Sequence, residues 1–195
     1  MEANDRAPKA TIIDEWAKIK SPPPPELKPI TVDPKVTALL ILDIQTPMCT
    51  LEKRPRCVAT VPNILHLLTQ ARAKGIPVVY SLAGEATPSD ILKEVAPKPG
   101  EPVVRTGVDK FFNTDLEKIL KEKGIKAVIV TGTSAHGAVL HTATAAALRG
   151  MQVIVPVDGM SADDPYPEQY TAWHLVNGPG SRQKTTLTRA SLITF

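Results

Sequence analysis

With 195 residues, an apolar fraction of 43% and a net charge of +3, the chain can bury one continuous core and has neither the low hydrophobicity nor the charge excess of a disordered segment. Its lysines and arginines are interspersed with acids, and its aromatics are two Trp, three Tyr and three Phe; no basic, aromatic-lined stripe is present, so no nucleic-acid partner is expected. Residues 1–10 carry no apolar signal region, and no run approaches the roughly 20 apolar residues of a membrane span. Two cysteines are too few for a disulfide framework or a structural zinc site. A cytoplasmic protein without a membrane partner is expected.

Residues 1–34 read as an arm. Ile12, Ile13, Trp16 and Ile19 recur at helical spacing, and Pro22 to Pro25 hold the following segment extended. So short an amphipathic helix needs a surface to pack on, either its own domain or a neighbouring subunit; the latter predicts a homo-oligomer. Residues 35–195 then alternate strand and helix. The unbroken apolar run at 36–44 predicts a strand buried on both faces. Pro62 suits a first helical position, with Ile64, Leu65, Leu67, Leu68 and Ala71 on the buried side and Gly75 past the end. A strand at 76–82, a weak helix at 89–95 and a short strand at 102–105 follow.

Thr114 and Glu117 form a capping-box pattern opening a helix with Leu116, Ile119 and Leu120 inward. A strand at 125–131, an alanine-rich helix at 136–149, a strand at 151–157, a helix at 168–176 and an edge strand at 185–188 complete the chain. Such alternation predicts a three-layer α/β/α sandwich around a mainly parallel, doubly wound sheet. Ligands in such sheets bind beyond the carboxyl ends of the strands. That rule selects Asp43, Arg105 and the loop behind it, and the turn from Gly132 to Ala138. An acid closing an apolar strand is costly unless paired or used. The turn offers backbone N–H groups and a helix's positive end to an anion.

Three segments together, ALLILDIQ, NILHLLTQARAKGIPVVYS and FFNTDLEKILKEKGIKAVIVTGTSAHGAVLHTATAAALRGMQVIVPVDGMS, resemble the isochorismatase-like hydrolases, or cysteine hydrolase superfamily. The resemblance implies an acid at Asp43, a cationic partner at Arg105 or Lys110, and a nucleophilic cysteine at the start of the long helix. Residues Ser134, Ala135, His136 and Gly137 would then bind substrate or an oxyanion. At the nucleophile's position, however, the chain has Ala138. Three explanations fit: an engineered replacement, a branch working without a covalent intermediate, or a silent member that binds a small carboxylate. Isochorismatases that lack the cysteine and use the acid as proton donor to a vinyl ether resemble the second.

The expected function is therefore hydrolysis of a small carbonyl, amide or vinyl-ether compound, with Asp43 as general acid or base. Cys49, six residues beyond Asp43, is the alternative nucleophile to weigh, against a plain apolar filler. His136 lies at the cleft, whereas His66, His141 and His174 read as surface or packing residues. Nicotinamidases of the resembled family hold a metal with an Asp-x-His pair and a further His; SLAGEATPS offers no such set, so neither metal nor other cofactor is expected. The resemblance also implies a dimer or tetramer.

Overall fold

The computed structural model describes residues 10–195. The chain runs α1 (Ile12–Glu15), β1 (Ile30–Thr31), β2 (Thr37–Leu42), α2 (Pro55–Ala73), β3 (Val78–Leu82), β4 (Val103–Arg105), α3 (Leu116–Glu122) and β5 (Ala127–Thr133). It continues through α4 (Leu140–Leu148), β6 (Gln152–Pro156), β7 (Met160–Ser161), α5 (Pro165–Asn177), β8 (Thr185–Thr188) and β9 (Ile193–Thr194). Parallel strands in the order β4-β3-β2-β5-β6-β8 form the central sheet, with β7 paired to the end of β5; β1 and β9 make a separate ladder.

Both faces of this sheet are covered, which is why β2, TALLIL, is buried at every position. On one face Leu39, Ile41 and Ile129 share a cluster with Ile64, Leu67, Leu68 and Ala71 of α2. On the other, Leu40, Leu42, Val128 and Val130 share one with Leu116 and Leu120 of α3, Ala143 and Ala146 of α4, and Leu175 of α5. The expected three-layer, doubly wound architecture is the observed one. The chain winds from β2 outward to β3 and β4, then returns to lay β5 on the other side of β2. The connections leaving β2 and β5 therefore diverge to opposite faces and open a crevice between them.

Several local expectations change. Pro55, not Pro62, takes the first turn of α2, and Pro62 lies inside the helix. It forfeits one backbone bond there, but burial of Val61, Ile64 and Leu68 on either side carries the helix through. Residues 89–95 form two short 3-10 turns, Pro88–Asp90 and Lys93–Val95, rather than a helix. The Thr114–Glu117 capping box is absent. Thr114 instead donates to the Lys110 carbonyl at 2.6 Å, while Glu117 pairs with Lys121 and Arg149.

In the arm, Leu27 packs on the core and the Lys28 N–H donates to the Leu187 carbonyl at 2.9 Å. Ile12, Ile13, Trp16 and Ile19 stay exposed, and an open groove lies between Ile12, Trp16 and Ile19 on one side and Tyr166, Tyr170 and Trp173 on the other.

At Gly132 the neighbouring strand leaves no room for a side chain. The glycine's φ is +124°, and a Cβ there would lie 2.1 Å from the Leu42 carbonyl oxygen. Both the conformation and the space require glycine. Gly132→Ala is expected to cost at least about 3 kcal/mol of unfolding free energy in urea melts; a loss below about 1 kcal/mol would contradict this packing.

Candidate active site

Asp43 follows the last residue of β2. Strand alternation would place its side chain with Leu39 and Ile41, toward α2. Its φ of +56° breaks that alternation, a conformation that Asp tolerates better than most residues. The turn is held by the Asp43 N–H donating to the Ser81 carbonyl at 3.1 Å and the Gln45 N–H donating to the Asp43 carbonyl at 2.9 Å. The carboxylate thereby reaches the face lined by α3 and α4. There Oδ1 accepts from the Ser81 hydroxyl at 2.7 Å, and Oδ2 meets Lys110 Nζ at 2.8 Å.

Lys110 is fully buried. Its ammonium also donates to the carbonyls of Gly107 at 2.7 Å and Thr106 at 3.3 Å, so all three donors are engaged within the protein. The Lys110 N–H donates to Thr142 Oγ1 at 3.1 Å, fixing the loop after β4 against α4. Arg105, the other cation considered from the sequence, is exposed at the end of β4. Burial pushes the Asp43 carboxyl above the ordinary carboxylate range; attraction to Lys110 and the hydrogen bonds from Lys110 and Ser81 offset this only in part.

On the neighbouring strand, β5 ends at Thr133. A cis Thr133–Ser134 peptide follows, then a π turn, Ala135–Val139, before α4 begins. The regular helix expected from residue 136 therefore starts one turn later, and the wider turn belongs to a class frequent at functional sites. The Ser134 carbonyl accepts from the N–H groups of Gly137 at 3.0 Å and Val139 at 3.2 Å. Ala135 is buried, Ser134 and Gly137 are half-buried, and His136 is exposed. Ala138 is 3% exposed and presents a methyl group where a nucleophile was expected.

Cys49 does not supply a substitute. It is bonded to Cys57 across a Cα separation of 5.4 Å, and both residues are buried. The reading of Cys49 as an alternative nucleophile or an apolar filler is corrected: the loop after Asp43 folds back onto the first turns of α2 and brings Cys49 within bonding reach of Cys57. Gln45 secures the same loop, its side-chain amide bonding both the N–H and the carbonyl of Ala83 at 3.0 Å. Arg54, between the two cysteines, pairs with Asp163 at 2.7 Å and lies 3.5 Å from Thr133 Oγ1. Sequence reasoning missed Ser81, Gln45 and Arg54. Ser81 left one trace, a lone small polar residue among the apolar and aromatic side chains of VVYSL.

His66 and His141 are exposed, and His174 is half-buried beside Tyr170. Among the described residues, no group of three His, Cys, Asp or Glu side chains is placed to hold a metal ion. In the loop after β3, Asp90 is engaged by the N–H and hydroxyl of Thr87. No described helix is long and apolar enough to cross a membrane.

Residues 37–188 match the family model described as Isochorismatase domain. The chain is 32% identical over 150 residues to the secreted isochorismatase effector Isc1 of Verticillium dahliae, covering 70% of this chain and 78% of that protein. It is 28% identical over 159 residues to the N-carbamoylsarcosine amidase of Arthrobacter sp, covering 67% of this chain but only 60% of that one. Its fold matches a cysteine hydrolase from Pseudomonas syringae with a TM-score of 0.72 at 20% identity, covering 86% of this chain and 94% of the other. An N-carbamoylsarcosine amidase from Thermoplasma acidophilum matches with a TM-score of 0.67 at 23% identity, over 80% and 96% respectively.

Two outcomes are expected. Thiol titration of the unfolded, unreduced protein finds no free thiol, and Cys57→Ser lowers unfolding free energy by about 2.5 kcal/mol, the chain-entropy value for so short a loop. Two reactive thiols would overturn the bond. Second, because Asp43 binds its proton more tightly in the folded state, its stabilising contribution is complete below its unfolded pKa and is lost as pH rises through the folded one. Relative to Asp43→Asn, the wild type should lose stability as pH rises above about 4; a constant difference from pH 3 to pH 7 contradicts the upward shift.

Proposed function

This chain belongs to the isochorismatase family, and from that premise we propose that it is a hydrolase using Asp43 as general acid/base, without a covalent cysteine intermediate. The observation carrying this reading is the buried Asp43–Lys110 pair, in a crevice whose usual nucleophile position is occupied by Ala138. Burial that raises Asp43 keeps more of it protonated toward neutral pH, as a proton donor requires.

A vinyl ether suits this equipment best among the three substrate classes expected. The Asp43 proton passes to the terminal vinyl carbon, and the positive charge that develops is shared with the ether oxygen. Water then adds to the cationic carbon and gives up a proton that restores Asp43 to its acid form, and the hemiketal collapses to a carbonyl compound and an alcohol. No step needs a thiolate. Lys110 stabilises the aspartate left after proton transfer. The half-buried backbone of Ser134 and Gly137, with Ala135 and His136, would hold an anionic group of the substrate. The 32% identical relative, itself named as an isochorismatase, supports this choice over amide cleavage.

The compartment and assembly also belong to this proposal. A buried disulfide supports an oxidising compartment in place of the cytoplasm expected from the cysteine count. The exposed apolar side of α1 and the facing Tyr166, Tyr170 and Trp173 support a homo-oligomer. A monomer by light scattering, unchanged on deleting residues 1–34, would remove that inference.

Turnover should be screened with isochorismate, small amides and ureides. Asp43→Asn is expected to lower the rate on the accepted substrate by about 100-fold or more. Full activity in that variant would end the acid–base role. Tight binding of a small carboxylate with no turnover of any class would instead favour a silent member of the family. Ala138→Cys is expected to introduce amidase activity absent from the parent.

A further inference from the structure

Ser81 holds Asp43 at two points. Its carbonyl accepts the Asp43 N–H at 3.1 Å, and its hydroxyl donates to Oδ1 at 2.7 Å. Ser81 is 1% exposed, in a strand whose other side chains are apolar or aromatic. A hydroxyl so buried needs a partner, and here that partner is the carboxylate.

The two oxygens of Asp43 differ in what they face. Oδ2 faces an ammonium, which only donates. A proton on Oδ2 would set O–H against N–H and forfeit the charge-assisted bond. Oδ1 faces a hydroxyl, which donates or accepts by rotation about its Cβ–Oγ bond. Proton uptake at Oδ1 therefore keeps both contacts. Other charged groups nearby are engaged or turned away. Asp109 accepts from the Phe111 N–H at 2.9 Å, Arg54 pairs with Asp163, and Arg105 and His136 are exposed.

We propose that Ser81 is the positioning residue of this site, orienting the Asp43 carboxylate so that Oδ1 is the oxygen that takes up and releases the proton. The proposal rests on the acid–base reading of Asp43 given above, and it is tested by a measurement that needs no substrate. The Asp43 carboxyl carbon is followed by NMR across a pH titration in protein labelled with 13C at aspartate, its signal assigned by its loss in Asp43→Asn.

Removing the hydroxyl leaves the ionised carboxylate without one of its donors. In Ser81→Ala the titration midpoint is expected to rise by about one pH unit, a roughly tenfold change in proton affinity. Ser81→Thr, which keeps the hydroxyl, is expected to return it to the wild-type value. Should the alanine chain not fold, Ser81→Cys carries the same test: it is nearly isosteric with a weaker donor, and its midpoint should rise less, in the same direction. A folded Ser81→Ala or Ser81→Cys protein titrating at the wild-type midpoint overturns the proposal. So does a Ser81→Thr midpoint that follows alanine. Turnover by Asp43→Asn addresses the hydrolase reading alone: full activity there, with a raised midpoint in Ser81→Ala, retires the reading and leaves the hold on the carboxylate in place.

Discussion

A carboxylate and an ammonium 2.8 Å apart, both withdrawn from water at the end of a parallel sheet, impose the arrangement of everything around them. Taking two such charges out of water costs several kcal/mol each, repaid only by close geometry and a partner for every remaining donor and acceptor. The local structure meets that demand point by point. Asp43 turns into the left-handed region, Ser81 satisfies Oδ1, and the carbonyls of Thr106 and Gly107 take the remaining ammonium donors. The loop holding Lys110 is pinned in turn to Thr142 of α4.

The pair lies where the winding of the sheet reverses, and that location explains the other constraints. The β2 and β5 chains must run close together before diverging to opposite faces, which leaves no room at Gly132 for a side chain. The loop leaving Asp43 is fastened by the Cys49–Cys57 bond, by Gln45 on Ala83 and by the Thr46 N–H on the Asp90 carbonyl. Two fixed walls with a buried ion pair between them hold the crevice in one arrangement, the preorganisation that the proposed hydrolase reading calls for.

Chemistry then follows from what the crevice contains and what Ala138 withholds. The π turn carries a methyl group at Ala138 in place of the thiol that the resemblance led one to expect, and the proposed hydrolase reading therefore assigns proton transfer to Asp43. Burial sets that carboxyl's proton affinity upward while Lys110 and Ser81 restrain it. Burial acts in one direction and Lys110 and Ser81 in the other, so a change at any of them shifts the proton affinity of Asp43.

Alternation of buried strands with amphipathic helices was legible in the linear pattern, because apolar periodicity is a local property. It determined the layered fold and the position of Asp43 at a strand end, whereas only the family resemblance marked Ala138 as a place where a cysteine was expected. Choosing between Arg105 and Lys110 lay beyond it: both are cations on the same segment, and only the loop's path decides that Lys110 turns inward while Arg105 stays in water. Cys49 and Cys57 looked independent for the same reason, since their pairing depends on a loop folding back onto α2. Ser81 became meaningful only when parallel register set β3 beside β2 and a left-handed turn swung Asp43 toward it. Burial patterns are written residue by residue, but a contact between distant segments exists only once the whole chain has closed around it.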